Sequence, residues 1–265
     1  MTDRRRLSRT FDAAAATYHQ ARPEYPDELY RDLVSACRLG PGARLLEIGA
    51  ATGKATLPLA RRGFRLTCVE QGAELSATAA ARLAEYSNVE VFHAAFEDWV
   101  PRHQTPFDLV FAATAWHWID PAVRYEKAWA LLRPQGHLAF WAATHVLPDG
   151  GDAFFREIQD VYDEIGKGLP PGHRWPCPGE LQNRVTEVES SGRFDVITVQ
   201  EYVWEVMYDA MSYIALLETF SDHISMEPWQ KSRLYGEIRR RLGQRPDGML
   251  RRHWGTLLHI ARRRD

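Results

Sequence analysis

The feature that most constrains the fold is an alternation of short apolar runs with segments of helical periodicity between residues 44 and 142. Such an alternation is typical of βα units, which build a mostly parallel sheet covered by helices on both faces. The runs that predict strands are residues 44–48, 65–70, 89–93, 108–112 and 137–142. The segments between them that predict helices are residues 55–62, 73–86 and 121–132. The sequence therefore predicts an α/β fold with a doubly wound, Rossmann-like sheet.

The remainder of the chain adds to this sheet. Two more strands are predicted at residues 194–205 and 256–261, which gives seven strands, mostly parallel with the last one antiparallel. Helices are predicted at residues 7–18, 25–37, 154–165, 210–220 and 228–241. Between residues 148 and 189 the pattern is interrupted by a Gly/Pro-rich stretch, which indicates an insertion after strand five. We expect one domain over residues 1–265, with N-terminal helices in 1–42, a sheet core in 43–147 and 190–265, and residues 148–189 as a lid over the acceptor.

Charge and cysteine content exclude several classes of protein. The 33 Lys and Arg residues nearly balance the 35 Asp and Glu residues, for a net charge of -2, which argues against nucleic acid as a partner. Three cysteines without CxxC spacing predict neither a disulfide framework nor a cysteine-built metal site. No run approaches the roughly 18 apolar residues of a spanning helix, and the N-terminus has no apolar segment typical of a signal peptide. We expect a cytoplasmic monomer or homodimer without metal and without membrane contact.

The sharpest local signal is the segment Leu-Leu-Glu-Ile-Gly-Ala-Ala-Thr-Gly-Lys at residues 45–54, where a buried strand runs into a small-residue turn that opens a helix. Such a turn lets a ligand approach backbone N–H groups and the helix N-terminus. The next strand ends in Glu70, where a carboxylate can accept both hydroxyls of a ribose. Both nicotinamide dinucleotides and S-adenosylmethionine require these features. The glycines at Gly49 and Gly53 do not match G-x-G-x-x-G, which disfavours the dinucleotide and leaves a nicotinamide-dependent reductase as the weaker alternative.

At this point the chain resembles the class I S-adenosylmethionine-dependent methyltransferases. Their first motif, acidic-x-Gly-x-Gly-x-Gly, is matched by residues 47–53, and further matches follow at residues 95–99, 106–118 and 132–136. Residues 11–26 resemble the helix that in many members lies over the methionine end of the cofactor. The resemblance implies S-adenosyl-L-methionine as the cofactor and the following binding residues: Tyr18, Arg22, Glu47, Gly49, Ala51, Gly53, Glu70, Gln71, Phe96, Glu97 and Ala113.

Two departures from the family pattern bear on the cofactor site. Ala51 replaces the middle glycine, and we expect the turn to survive only if Ala51 stays at negative φ, with weakened cofactor binding. Ala95 stands where an acidic residue often precedes the adenine contact. Adenine recognition would then fall on the backbone of Phe96 and the side chain of Glu97, although Glu97 also fits a solvated loop.

The acceptor is harder to infer, because methyl transfer from a sulfonium mainly requires alignment and the exclusion of water. His117 follows strand four, where it would orient or deprotonate the acceptor, or else simply pack between two tryptophans. The other candidate acceptor residues are Trp116, Trp118, Arg174, Trp175, Tyr213 and His223. Three of these residues also fit a purely structural role: Arg174 in a solvated loop, Tyr213 in the core and His223 on the surface.

The strand-four loop and the later Thr-Phe-Ser segment are similar to the small-molecule branch that includes trans-aconitate methyltransferases. This resemblance implies O-methylation of a small acid, while related members methylate hydroxyls and carbons. The alternative from a different class is a catalytically silent cofactor-binding protein, since a fold does not determine a function.

Overall fold

A computed structural model describes residues 15–102 and 105–265, and its central element is a sheet of eight strands. The strands are β1 (Arg44–Ile48), β2 (Arg65–Glu70), β3 (Val89–His93), β4 (Phe107–Ala113), β5 (Leu132–Trp141), β6 (Thr144–Val146), β7 (Phe194–Tyr208) and β8 (Leu250–Arg263). The order runs β3-β2-β1-β4-β5 in parallel, and β8 then pairs antiparallel with β5. β7 pairs with β8 along its whole length, so that β5 and the short β6 share the other edge of β8.

Helices cover both faces of this sheet. They are α1 (Ala15–Ala21), α2 (Asp27–Ala36), α3 (Thr56–Arg61), α4 (Ala73–Arg82), α5 (Pro121–Leu131), α6 (Phe154–Glu157), α7 (Gln159–Glu164), α8 (Val185–Ser190), α9 (Ala210–Leu217), α10 (Ser221–Ile224) and α11 (Pro228–Gly243). Alternate residues of one strand enter different cores: Leu45 packs with α2 and α3, whereas Leu46 packs with α5 and α8. This alternation across a strand is what a sheet buried on both faces requires.

The predicted α/β architecture is confirmed, with differences in the C-terminal half. β1, β2 and β3 have the predicted bounds, whereas β7 and β8 are longer than predicted because they pair with each other over more than a dozen residues. β6 is an eighth strand in a segment where none was predicted. The predicted helix at 7–18 falls largely outside the described residues, and α1 lies at its end and beyond it.

The segment predicted as an insertion contains α6, α7 and α8. Phe154, Phe155 and Val161 of its first part pack against α9, α11 and the start of β8, in a third hydrophobic core beside the sheet. Within the residues that the structure describes, no helix is long and apolar enough to cross a membrane.

Candidate functional site

The loop after β1 is shaped by three residues in the left-handed region, Gly49 (φ 70°), Ala51 (φ 48°) and Gly53 (φ 80°). The N–H of Gly49 donates to the carbonyl of Val69 at 2.8 Å, which continues the β1–β2 pairing into the turn. A Cβ on Gly49 would lie 2.4 Å from the Cβ of Ala115, and one on Gly53 would lie 2.8 Å from a methyl of Leu83. Both glycines are therefore required by close approach as well as by backbone conformation.

The backbone conformation of Ala51 differs from the one expected from the sequence. We expected it at negative φ, but the structure places it in the left-handed region, where an L-residue with a Cβ is strained by about 1–2 kcal/mol. The N–H of Ala51 donates to Oε2 of Glu70 at 2.8 Å. This hydrogen bond helps to hold the alanine in a conformation that glycine would adopt without strain.

Glu70 ends β2 and joins two loops. Its Oε2 accepts from Ala51, its Oε1 accepts from the N–H of Gly72 at 2.7 Å, and the residue is 6% exposed. Each carboxylate oxygen can accept more than one hydrogen bond. The carboxylate therefore fixes the glycine loop against the start of α4, and the residue lines the cleft described below.

Glu47 lies beneath the loop rather than in the cleft. Its carboxyl group is buried, it accepts from Oγ1 of Thr56 at 2.5 Å, and the thiol of Cys68 lies 3.9 Å away. Burial raises the pKa of Glu47 to about 8. The side chain therefore ties β1 to the first turn of α3, which fixes the far end of the glycine loop.

An open cleft of about 870 Å³, its mouth included, lies at the carboxyl ends of β1, β2 and β4. This edge of an open α/β sheet is where ligands bind. The predicted cofactor residues that line the cleft are Tyr18, Arg22, Gly49, Ala51, Glu70, Gln71, Phe96, Glu97 and Ala113. Gly53 is not among its lining residues, which agrees with a role in shaping the turn.

A second, smaller cavity continues from the cleft, and we call it the inner cavity. It shares Tyr18, Arg22, Gly49, Ala51, Ala113 and Thr114 with the cleft. Its other lining residues are Pro23, Tyr25, Glu47, Ala50, Lys54, Ala55, Ala143 and Trp254. A ligand in the cleft would therefore reach the inner cavity between the glycine loop, the N-terminal helix and β8.

Thr114 stands at the junction of the two cavities, and sequence reasoning missed it. Its φ is 56°, its N–H donates to the carbonyl of Trp141 at 2.7 Å, and its Oγ1 accepts from the N–H of Ala143 at 3.2 Å. The Tyr25 hydroxyl lies 2.6 Å from the same Oγ1, and burial raises the pKa of Tyr25 well above its usual value. Positive φ at a β-branched residue is rare, so no local pattern predicts this position.

Arg22 connects α1 to the segment after α9. Its Nε donates to Oγ1 of Thr219 at 2.9 Å and its Nη2 donates to the carbonyl of the same residue at 2.8 Å. The guanidinium also lies 4.2 Å from the ring centroid of Phe220 and 5.2 Å from that of Tyr18. Two elements nearly 200 residues apart thus form one wall of the cleft.

The strand-four loop forms a short 3₁₀-helix, Trp116–Trp118, whose residues point to different places. Trp118 lines the cleft, whereas Trp116 is buried and stacked on Phe140 with ring centroids 5.4 Å apart. Trp116 and His117 line a separate cavity, which we call the side cavity, together with Leu181 and other residues of the insertion. The proposed catalytic role of His117 stays a prediction.

The remaining predicted acceptor residues are not brought together. Arg174 is exposed and forms a two-point ion pair with Glu180, and it lines a fourth cavity with Trp175. Tyr213 is buried in the core beside the insertion. His223 is buried, with its Nε2 2.8 Å from the Tyr162 hydroxyl. Their roles toward an acceptor stay predictions.

Comparisons with known proteins agree with this geometry. Residues 46–140 match a family profile described as "Methyltransferase domain". An uncharacterized methyltransferase of Mycobacterium tuberculosis is 28% identical over 243 residues, which cover 92% of this chain and 89% of that protein. A solved structure from Anaeromyxobacter dehalogenans, described as a candidate type II methyltransferase, aligns with a TM-score of 0.61 at 21% identity over 91% of this chain and 97% of that one.

A second solved structure is a S-adenosylmethionine-dependent methyltransferase from Geobacter sulfurreducens in complex with S-adenosyl-L-homocysteine. It aligns with a TM-score of 0.50 at 18% identity over 90% of this chain and 92% of that one. These likenesses, the glycine loop after β1 and the acid at the end of β2 all point to one family. The methyltransferase match over residues 46–140, the methyltransferase relatives and the fold together support a class I S-adenosylmethionine-dependent methyltransferase.

Proposed function

We propose that this protein transfers the methyl group of S-adenosylmethionine to an oxygen of a small molecule, a carboxylate or a hydroxyl. The observation that carries the proposal is the continuity of the cleft with the inner cavity. The inner cavity is lined by Tyr18, Thr114 and Trp254, which come from three separate parts of the chain. A space enclosed in this way admits a small acceptor more readily than a macromolecular one.

The residues of the cleft fit the cofactor. Gly49 lines the cleft, and its bare Cα lets Ala115 pack where a Cβ would clash, which keeps the glycine loop close against the segment after β4. Glu70 lines the cleft with a carboxylate that can accept from ribose hydroxyls, and the buried ring of Phe96 lies at the end expected for adenine. The structure of the Geobacter sulfurreducens protein with the demethylated product supports this assignment by analogy. When bound, S-adenosylmethionine supplies an activated methyl group on a positively charged sulfur.

The chain's own contribution is alignment. An acceptor oxygen held in the inner cavity forms the C–O bond with its lone pair while the C–S bond breaks, and that bond's electrons return to sulfur. Tyr18 and Arg22, which line both cavities, would hold the two reactants in line and exclude water between them. A carboxylate acceptor loses no proton in this step, whereas a hydroxyl requires a base.

The lining of the inner cavity favours the carboxylate. Burial raises the pKa of Tyr25 well above its usual value, and Lys54 is paired with Glu24 at 2.7 Å, so neither is suited to accept a proton. Among the described residues that line this cavity there is no histidine, and Glu47, whose pKa burial raises to about 8, is itself mostly protonated at neutral pH. His117 remains the candidate base for a hydroxyl acceptor bound from the side cavity.

The lid assignment is part of this proposal. Four residues of the insertion line the side cavity together with Trp116 and His117, namely Pro176, Leu181, Gln182 and Arg184. This supports a role for residues 148–189 in access to the site. The cytoplasmic location, the absence of a nucleic-acid partner and the monomeric or homodimeric state are likewise kept as predictions.

Two measurements test the proposal. Calorimetry with S-adenosylmethionine, S-adenosylhomocysteine and NAD should show binding of the first two alone. Transfer of label from [methyl-³H]S-adenosylmethionine should then be measured over paired panels of small carboxylic acids and small alcohols. Label on an acid, released as methanol by mild base as an ester would be, supports the proposal. Cofactor binding without transfer to any panel member would favour the catalytically silent alternative.

A further inference from the structure

Arg252 on β8 is a buried cation without a counter-charge among the residues that the structure describes. The residue is 7% exposed, and no carboxylate of the described chain lies within ion-pair distance of its guanidinium. Its Nε–H has no hydrogen-bond partner there either. Burying an unpaired charge costs several kcal/mol, so such a group requires an explanation.

Other poorly exposed arginines of the chain show what a structural arginine looks like here. Arg124 pairs with Glu187, Arg245 pairs with Asp152 at 2.6 Å, and Arg241 pairs with Asp160 at 2.7 Å. Arg252 is buried at least as deeply as Arg241 and Arg245 but lacks such a partner among the described residues. Arg252 therefore differs from these three arginines, each of which is paired with an acidic side chain.

Aromatic rings and tyrosine hydroxyls surround Arg252. Its guanidinium carbon lies 4.4 Å from the ring centroid of Trp254 and 5.6 Å from that of Phe220. Burial raises the pKa of the neighbouring Tyr213, and Arg252 opposes that rise through its charge and a hydrogen bond. Rings and neutral hydroxyls stabilise a cation only partly, and the net positive charge remains.

This charge lies directly behind the wall of the inner cavity. Trp254, which lines the cavity, is in contact with Arg252, and Phe220 contacts the guanidinium groups of both Arg252 and Arg22. In a poorly hydrated site, a fixed charge acts more strongly on a ligand than in water. The charge of Arg252 behind Trp254 therefore favours an anion at that end of the inner cavity.

We propose that Arg252 is the counter-charge for a carboxylate of the methyl acceptor, so that the inner cavity selects anionic acceptors. The inference rests on the proposed function, because it assigns the inner cavity to the acceptor. Arg22, which lines both the cleft and the inner cavity, is left to the carboxylate of the cofactor, and Tyr213 is a hydrogen-bond partner of Arg252.

The test uses the intact protein saturated with S-adenosylhomocysteine and titrated calorimetrically with malonate, and with malonamide as an uncharged probe of the same shape. Wild type should bind malonate at least about tenfold more tightly than malonamide. Arg252→Met should lose that preference, and Arg252→Lys should keep part of it because the charge remains. Arg251→Met is the matched control, since Arg251 is the exposed neighbour on the opposite face of β8, and should behave as wild type.

Stability and cofactor binding distinguish the proposal from its rivals. Replacing an unpaired buried charge by an apolar side chain should leave the free energy of unfolding of the unliganded protein unchanged or raised. Arg252→Met should also bind S-adenosylhomocysteine as wild type does. A marked loss of stability would make Arg252 a structural residue, and a loss of S-adenosylhomocysteine affinity would assign its charge to the cofactor carboxylate; either result overturns the proposal. The proposal is also overturned if wild type binds S-adenosylhomocysteine but does not bind malonate. If wild type does not bind S-adenosylhomocysteine, the proposed function itself is wrong.

Discussion

Replacement of Glu70 should affect folding and cofactor binding together, because the carboxylate that holds the glycine loop is also the one that we propose for the ribose hydroxyls. In Glu70→Ala the N–H groups of Ala51 and Gly72 both lose their acceptor. An unpaired buried N–H costs about 1–3 kcal/mol. Since Glu70 borders the open cleft, water can reach part of the gap, so we expect the lower part of that range for each group. The free energy of unfolding should therefore fall by about 2–4 kcal/mol.

Glu70→Gln separates the two roles. The amide oxygen can replace one carboxylate oxygen, whereas the amide nitrogen cannot accept a hydrogen bond. We therefore expect a loss of stability of about 1–2 kcal/mol, roughly half that of the alanine variant. Both variants should bind S-adenosylhomocysteine more weakly, by about 1–3 kcal/mol, because ribose hydroxyls lose a charged acceptor.

Urea unfolding and calorimetry at neutral pH measure these two quantities. Glu90→Ala is the control, since Glu90 is an exposed acid on the neighbouring strand β3 and should change neither value appreciably. If Glu70→Ala unfolds at the same urea concentration as wild type, the two backbone hydrogen bonds do not hold the loop. If its affinity for S-adenosylhomocysteine is unchanged, Glu70 does not contact the ribose.

Further predictions concern the same loop and its surroundings. Ala51→Gly should raise the free energy of unfolding by up to about 1 kcal/mol, because relief of the left-handed strain exceeds the entropic cost of glycine; lower stability in urea would show that Ala51 is unstrained. Gly49→Ala should abolish binding of S-adenosylhomocysteine in calorimetry, since the new Cβ would meet Ala115 at 2.4 Å, and wild-type affinity would contradict the close approach. Burial holds the pKa of Glu47 at about 8 in the folded protein, above its value in the unfolded chain. The folded state therefore binds a proton that the unfolded chain has lost, and the free energy of unfolding should fall as pH rises from about 5 to 8. Glu47→Gln should flatten this pH dependence in urea unfolding measurements, and an unchanged pH dependence would exclude Glu47 as its source. His117→Ala should slow methyl transfer to a carboxylate only modestly. It should slow transfer to a hydroxyl by about 10²–10⁴-fold and remove the acidic limb of the pH profile of the rate. Unchanged turnover would leave His117 as a packing residue.

The sheet could be predicted from the sequence because strands buried on both faces are continuous apolar runs. Leu45, Leu46 and Ile48 of β1 are almost completely buried, and the same holds for most of β4. Such runs carry their signal within five to seven residues. β6 carries no comparable signal, since its three residues form a strand only through pairing with β8.

Backbone conformation in the loops could not be predicted in the same way. Ala51 is left-handed because Glu70, on another strand, holds its N–H, and Thr114 is left-handed with its hydroxyl held between Tyr25 and Ala143. In both cases long-range hydrogen bonds override the local preference of a residue with a Cβ. The motif indicated where the loop would turn, but the acceptors that stabilise the turn lie elsewhere in the sequence.

The two ends of the site differ in how the chain builds them, and this explains why the cofactor is easier to infer than the acceptor. The cleft is formed mainly by loops that follow successive strands, so its residues occur in a regular order along the sequence. The inner cavity joins Tyr18 near the N-terminus, Thr114 after β4 and Trp254 on β8, with Arg252 behind it. Only the completed sheet brings these residues together, because β8 must pair with β5 before Trp254 can face the glycine loop. Under the proposed function, acceptor choice depends on the last strand, where a change at one position would alter the charge behind the inner cavity without disturbing the cofactor loop.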